Sequence, residues 1–488
     1  MNDQETINYT DYKNTFFNIL NFLASPLTML FAIPIFISYL GIEKFGIWIL
    51  INSIISSLRF IDAGLGNSII KFVSKYKSKN DNLNINKIIN NSFLIFSLII
   101  VLTLLVSLLI LKFDGFILFF NVDLEHLQIV RQALFYSVIL LCIKLFENLI
   151  LSVFKAYERF DYFALFSIIS RVFLIATQIF AVIYFSSLSK VFLYSSYVAF
   201  IILILEIFFL KNIFKNVTFS YSLINRRTVQ EIYSFGLWSW TMSCVAIFGR
   251  HMDKIIVVKL ADPIILGYYG IAFFVFENFH SFLATSVSWL FPKISRLSEL
   301  KIDLKKIYYK CQFFLTLFGI IAALFFYIFD EFILTLWIDH ETYLNTHWYI
   351  KLLLAVNLLY IITIPPYYFL NAMGFVKTNA QLQMYGVSLN FIFMFIFYQL
   401  IGIYGIILAR CVNPLIIGSI ARYYVNNKCL NNSSKRFYGL QMLIPLLLII
   451  LGITLYEFNI NNFIIITINI FLILISYYFF YYKKLKNV

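Results

Sequence analysis

Runs of roughly twenty apolar residues, separated by short polar stretches, recur from one end of this chain to the other, and they settle its fold class. A helix of about twenty residues crosses the ~30 Å hydrocarbon core with every backbone group bonded internally, which few other structures achieve in lipid. Read this way, spans fall near residues 15–38, 44–64, 88–111, 130–155, 161–186, 190–211, 231–258, 264–291, 307–330, 347–373, 380–401 and 403–425. A further pair follows near 438–456 and 461–482. The expected fold is an all-α polytopic membrane protein of about 14 transmembrane helices. A chain 61% hydrophobic and only 13% charged could not hide its apolar surface in water. The opening residues MNDQETINYTDYKN carry no basic stretch before a short apolar core, so no cleaved signal peptide is expected.

The basic residues test the span count. Of 38 lysines and arginines, 26 fall on loops of one side, 5 on the other and 7 inside spans; one missed helix would scramble that alternation. By the positive-inside rule both termini face the cytoplasm. The net charge of +14 then reads as loops facing anionic headgroups, and no nucleic-acid partner is expected. Cys142, Cys244, Cys311, Cys411 and Cys429 are scattered without a CxxC pair and read as small apolar side chains, so no cofactor or metal is expected.

Three short stretches echo one another at matching places. SYLGIEKFGIW (38–48) after the first span corresponds to KLADPIILGYYGIA (259–272) after the seventh. FIDAGLGNSIIKFVSKY (60–76) corresponds to 288–300, and 155–171 to 371–390. The chain therefore divides into a six-helix lobe at 1–213, a cytoplasmic linker at 214–230, a second lobe at 231–425, and an extra helix pair with tail at 426–488. An even repeat of six relates the lobes by an axis along the membrane normal.

Charged side chains at membrane depth cost about 2.5–3.5 kcal/mol on insertion scales, so they face a partner or a wet cavity. Arg59, Lys144, Arg171, Arg250, Lys254, Lys351 and Arg410 lie within spans, against Glu147, Glu206, Asp253 and Glu277. Seven against four leaves a cationic interior, suited to a phosphate-bearing substrate because arginine offers a fork and lysine a movable charge. Arg59, Lys144, Arg171, Arg250 and Arg410 are the candidate substrate-binding residues. Lys144 and Glu147 are one turn apart and can also neutralise each other; Lys351 is close enough to a span end to snorkel. Glu147, Asp253 and Glu277 are candidates for taking up a coupling proton or sodium ion. Glu277 and His280 form a single ExxH, half of what a di-metal bundle requires. Pro26, Pro34, Pro365, Pro366 and Pro414 fall inside spans and kink them, so Pro26 and Pro365 are candidate hinges. Asp62, Gly64 and Gly66, beside a basic loop, suit close packing or gating at the cytoplasmic mouth.

Tyr39-Leu40-Gly41-x-x-x-Phe45-Gly46-x-Trp48 followed by Phe60-x-Asp62-x-Gly64-x-Gly66 resembles the N-terminal signature of Wzx-type O-antigen and polysaccharide flippases. Ala156-Tyr157-Glu158-Arg159-Phe160, and Asp253-Lys254-Ile255-Ile256 leading to Gly267-Tyr268-Tyr269, extend the likeness. These proteins form the polysaccharide branch of the multidrug/oligosaccharidyl-lipid/polysaccharide exporter superfamily. The resemblance covers the first twelve spans. It implies two six-helix bundles in a MATE-like V around a central cavity. It further implies a bacterial inner-membrane flippase moving undecaprenyl-pyrophosphate-linked oligosaccharide to the periplasmic leaflet, with the polymerase and chain-length proteins of the same pathway as candidate partners. The rivals are a multidrug or ion antiporter of the same superfamily, which needs an acidic cavity, and a membrane glycan polymerase or ligase, which commonly needs a large periplasmic loop.

Overall fold

The computed structural model describes residues 9–62, 64–213, 223–287, 290–300 and 303–430. The helix pair expected at 438–456 and 461–482 lies outside the described residues. Every regular element among those described is helical, and nine segments are long and apolar enough to cross a membrane. The chain is a multi-pass membrane protein. It parts into two compact units, one ending at Gly267 and the other starting at Tyr268. That boundary is one span later than the 214–230 segment at which the sequence divides the lobes.

The first unit opens with α1 (Tyr9–Leu58), broken only at Gly41, whose backbone (φ 78°, ψ 164°) is one that side chains resist. The arms on either side correspond to the first two expected spans. Pro26 and Pro34 sit inside the first arm without breaking its helical dihedrals, so the bend belongs to the glycine. After a single 3-10 turn at Arg59–Ile61 comes α2 (Leu65–Lys77), entered through Gly64 at φ 95°. This segment, expected as a basic loop, is an amphipathic helix. Leu65, Ile69 and Val73 are buried while Asn67, Lys71 and Lys75 are exposed, a helical spacing.

Then follow α3 (Asn82–Ile110), α4 (Asp114–Leu118), α5 (Leu127–Ala156), α6 (Phe160–Phe185), α7 (Leu188–Ile213) and α8 (Arg226–Leu260). Asp81 caps α3, accepting from the Asn84 backbone N–H at 3.0 Å. Helix α5 is central, packing on α2, α3, α6 and α7, while α8 packs on α1, α2 and α3. Lipid is as apolar as leucine, so close backbone approach and polar bonds hold such helices together, not exclusion from water. Ser137, Ser152 and Ala156 on α5, Ala164, Ser170 and Ala181 on α6, and Ser195, Ser196 and Ala199 on α7 are all buried. Ser196 donates to the Tyr136 carbonyl of α5 at 3.0 Å. The extreme case joins α1 to the first turn of α9 (Pro263–Ser286): a Cβ at Gly46 would overlap the Pro263 carbonyl, and one at Gly267 would press on Ile42.

The second unit continues α9 and adds α10 (Leu290–Glu299), α11 (Lys305–Trp337), α12 (His340–Ile361), α13 (Ile364–Ala372), α14 (Val376–Ile401), α15 (Ile403–Ala409) and α16 (Gly418–Tyr424). Two expected spans are interrupted here. The span expected at 347–373 is one membrane-length segment, His340–Ala372, interrupted at Ile362–Thr363, where the backbone stays right-handed and Pro365 and Pro366 follow in the first turn of α13. The prolines therefore mark an interruption within that span. The span at 403–425 is interrupted by a π-helical turn at Asn413–Ile417 that carries Pro414. Helix α10, like α2, is a short amphipathic helix.

Candidate functional site

The end of α1, the start of α2 and the facing sides of α5 and α8 enclose a cavity of about 390 Å³ in the first unit. Two candidate arginines, Arg59 and Arg250, line it together, with Lys155 at its rim. Both arginines are exposed to the open space, and Lys155 holds its ammonium 4.0 Å from the Phe163 ring. Among the described residues the one carboxylate in the wall is Asp62, 4% exposed, which accepts from the Asn148 amide at 2.6 Å and interacts with the Arg59 charge. Three cations against one carboxylate leave the cavity net positive. His251 also lines it, within electrostatic reach of Arg59, Arg250, Asp253 and Lys254.

The backbone adds to that field. Gly64 has no side chain to cap α2, and the helix opens onto the cavity at Gly66 and Asn67. The Leu65 N–H donates to the Asp62 carbonyl at 3.1 Å, and the helix start adds its partial positive charge to the cavity, an arrangement that suits phosphate oxygens. Gly66 packs closely on α5: a Cβ there would come within 2.8 Å of the Ser152 hydroxyl. Trp240 of α8 fixes the turn itself, donating from its indole to the Phe60 carbonyl at 2.6 Å while its ring meets Phe60 edge-on. Asp62, Gly64 and Gly66, read from the sequence as gating or packing residues, thus also form the wall.

The other candidates lie elsewhere. Lys144 bonds Glu147 at 2.6 Å and the Ser170 hydroxyl at 2.5 Å, inside the α5–α6 contact. Arg171 on α6 feels the Glu147 charge, and Glu206 on α7 interacts with both Glu147 and Lys144. Glu206 is fully buried, and neither carboxylate oxygen has a hydrogen-bond partner among the described residues. Asp253 is buried on α8. In the second unit Arg410 is 5% exposed, its guanidinium 4.6 Å from Phe273, 5.5 Å from Phe276 and in reach of the Tyr269 hydroxyl at 3.4 Å. Glu277 is half-buried on the same α9, and His280 shares a 3.3 Å bond with Asn357. Lys351 pairs with Asp330 of α11 at 3.0 Å. Of the five cationic candidates, only Arg59 and Arg250 meet in one cavity.

With this geometry in hand, comparison with known proteins decides the family. A family model described as polysaccharide biosynthesis protein matches residues 12–298, more than half of the chain. The chain belongs to the polysaccharide biosynthesis protein family. Its matched segment contains α1 from residue 12 onward, all of α2–α9 and the whole cavity. No curated protein matches the sequence. Solved structures carry the fold. One titled lipid II flippase MurJ, inward closed conformation, shares 17% identity at TM-score 0.70, covering 96% of this chain and 99% of its own. An inward-facing multidrug resistance MATE transporter of the MOP superfamily shares 12% at TM-score 0.66, covering 85% and 99%. The MATE multidrug transporter DinF-BH shares 14% at TM-score 0.62, covering 88% and 97%.

For this family member, sequence reasoning missed Lys155, Asn148, Ser152 and Glu206 as site residues. Lys144, Asn148, Ser152 and Lys155 recur at helical spacing and mark one polar face of α5, a signal that was available.

Proposed function

We propose that this protein is a flippase for lipid-linked oligosaccharide, taking undecaprenyl-pyrophosphate-linked glycan from the cytoplasmic to the periplasmic leaflet of the bacterial inner membrane. The observation that carries the reading is the cationic cavity at Arg59, Arg250 and Lys155, backed by the uncapped start of α2. A pyrophosphate bears charge on several oxygens in fixed geometry, which two guanidiniums and a helix start can match and a cationic drug cannot. Sugars would then extend into water and the polyprenyl tail would stay in lipid. Transport would proceed by alternating access between two six-helix lobes, with both termini in the cytoplasm and without enzymatic chemistry. The Lys144–Glu147–Glu206 cluster, more than Asp253 or Glu277, suits coupling to a proton or sodium gradient, since two carboxylates there share one lysine.

A multidrug antiporter is the second reading, favoured by the shared fold of the MATE structures. Export of a cationic dye separates the two. In a strain lacking its own flippase, Arg59→Gln with Arg250→Gln should lower surface polysaccharide with protein level in the membrane unchanged. Wild-type polysaccharide from that double variant, or robust dye efflux by the parent protein, would overturn the proposal.

A further inference from the structure

A second cavity, of about 770 Å³, lies in the other unit between the end of α9, α10 and the start of α11. Its lining along α11 is graded: Lys306 and Lys310, then Phe314 and Phe318, each four residues beyond the last and therefore on one face. From Lys306 to Phe318 that stripe rises about 18 Å along the helix, close to the depth of one bilayer leaflet from headgroup to midplane. Across the groove, Lys293 of α10 stands at the charged end and Phe282 of α9 at the apolar end, its ring 6.3 Å from that of Phe318. Phe282, Phe314 and Phe318 are each about half or more exposed, so they form an open wall. One carboxylate, Asp303, shares the charged end. It accepts from the Lys305 backbone N–H at 2.9 Å and lies 3.9 Å from the Lys305 ammonium, so its charge is met on its own side of the turn.

We infer that this groove holds a bilayer phospholipid with an anionic headgroup, its phosphate among Lys293, Lys306 and Lys310 and an acyl chain along Phe314, Phe318 and Phe282. Charge complementarity selects the anion, and the apolar continuation selects a lipid over free phosphate. The convergence of three lysines from two helices distinguishes the groove from lysines that merely snorkel. It is separate from the cavity at Arg59 and Arg250, so its failure and that of the transport reading can be told apart.

The test is lipid retention by the purified full-length protein, followed by native mass spectrometry after exchange into mixed micelles of phosphatidylglycerol and phosphatidylcholine. Phosphatidylglycerol should be retained over phosphatidylcholine, and millimolar inorganic phosphate should not displace it. Lys306→Gln and Lys310→Gln should each weaken retention about fivefold, as expected for one lysine near a headgroup. Phe314→Ala with Phe318→Ala should release the lipid with the lysines intact, while Arg59→Gln should leave retention unchanged. Equal retention of phosphatidylcholine, displacement by inorganic phosphate, or lysine variants that hold the lipid as well as the parent would overturn the inference. So would displacement of the phospholipid by polyprenyl phosphate at equal concentration, which would make the groove a substrate site.

Discussion

The side-chain amide of Asn148 lies 2.6 Å from the Asp62 carboxylate and donates to it, tying the turn after α1 to the middle of α5. Among the described residues Asp62 is the one acid in a wall of cations. Asp62 accepts from a neutral amide and faces Arg59, so it offsets one of the three cations in the wall and the cavity stays net positive.

Asn148→Ala should therefore leave a buried carboxylate without its donor. A hydrogen bond to a charged group contributes about 1.5–3 kcal/mol, so the variant should unfold earlier in a detergent melt. Asn148→Asp should fold less well still and lose polysaccharide export, because two acids would then face each other and one more cavity cation would be offset. Parent-like melting and export in both would show that the Asp62–Asn148 bond carries no structural load.

Gly46 and Gly267 lie in the two turns that echo each other in sequence, and each fits where a side chain cannot. Overpacking a tight contact costs about 1–3 kcal/mol, so Gly46→Val should reduce the amount of folded protein recovered from membranes. Gly115, around which a Cβ meets nothing within 4 Å, is the control: Gly115→Ala should be silent.

Lys144 sits between Glu147 and the Ser170 hydroxyl and interacts with Glu206. Lys144→Met should leave two acids together in the helix contact and cost about 3 kcal/mol, the loss seen when one partner of a buried pair is removed. Adding Glu147→Gln and Glu206→Gln should return most of that stability. If the triple variant melts at the parent temperature but no longer exports polysaccharide, the cluster serves coupling; full export would assign it to packing alone.

Span positions were legible because apolar run length is a strong local signal, and α3, α5, α6 and α7 begin and end within a few residues of expectation. The Gly41 bend was legible as a turn. The short helices α2 and α10 were not, since their lysines read as loop charge and their buried face is only one residue in three or four. The interruption before Pro365 and Pro366 was legible, because a proline pair inside an apolar run removes two backbone donors from the helix. The candidate site was half legible. Charge at membrane depth identifies Arg59 and Arg250 one at a time, but their meeting in one cavity depends on α8 packing beside α1 and α2, which no local pattern encodes. Arg410 shows the converse. It is an equally deep arginine that packs on Phe273 and Phe276 instead of lining the cavity.

The most direct test is the affinity of the purified protein for a short-chain polyprenyl pyrophosphate, measured for the parent and for Arg59→Gln, Arg250→Gln and the double variant. Each guanidinium contact contributes about 1.5–3 kcal/mol, so each single variant should bind roughly ten- to a hundredfold more weakly, with Arg→Lys losing less. Unchanged affinity in the double variant would contradict the assignment of this cavity to the pyrophosphate.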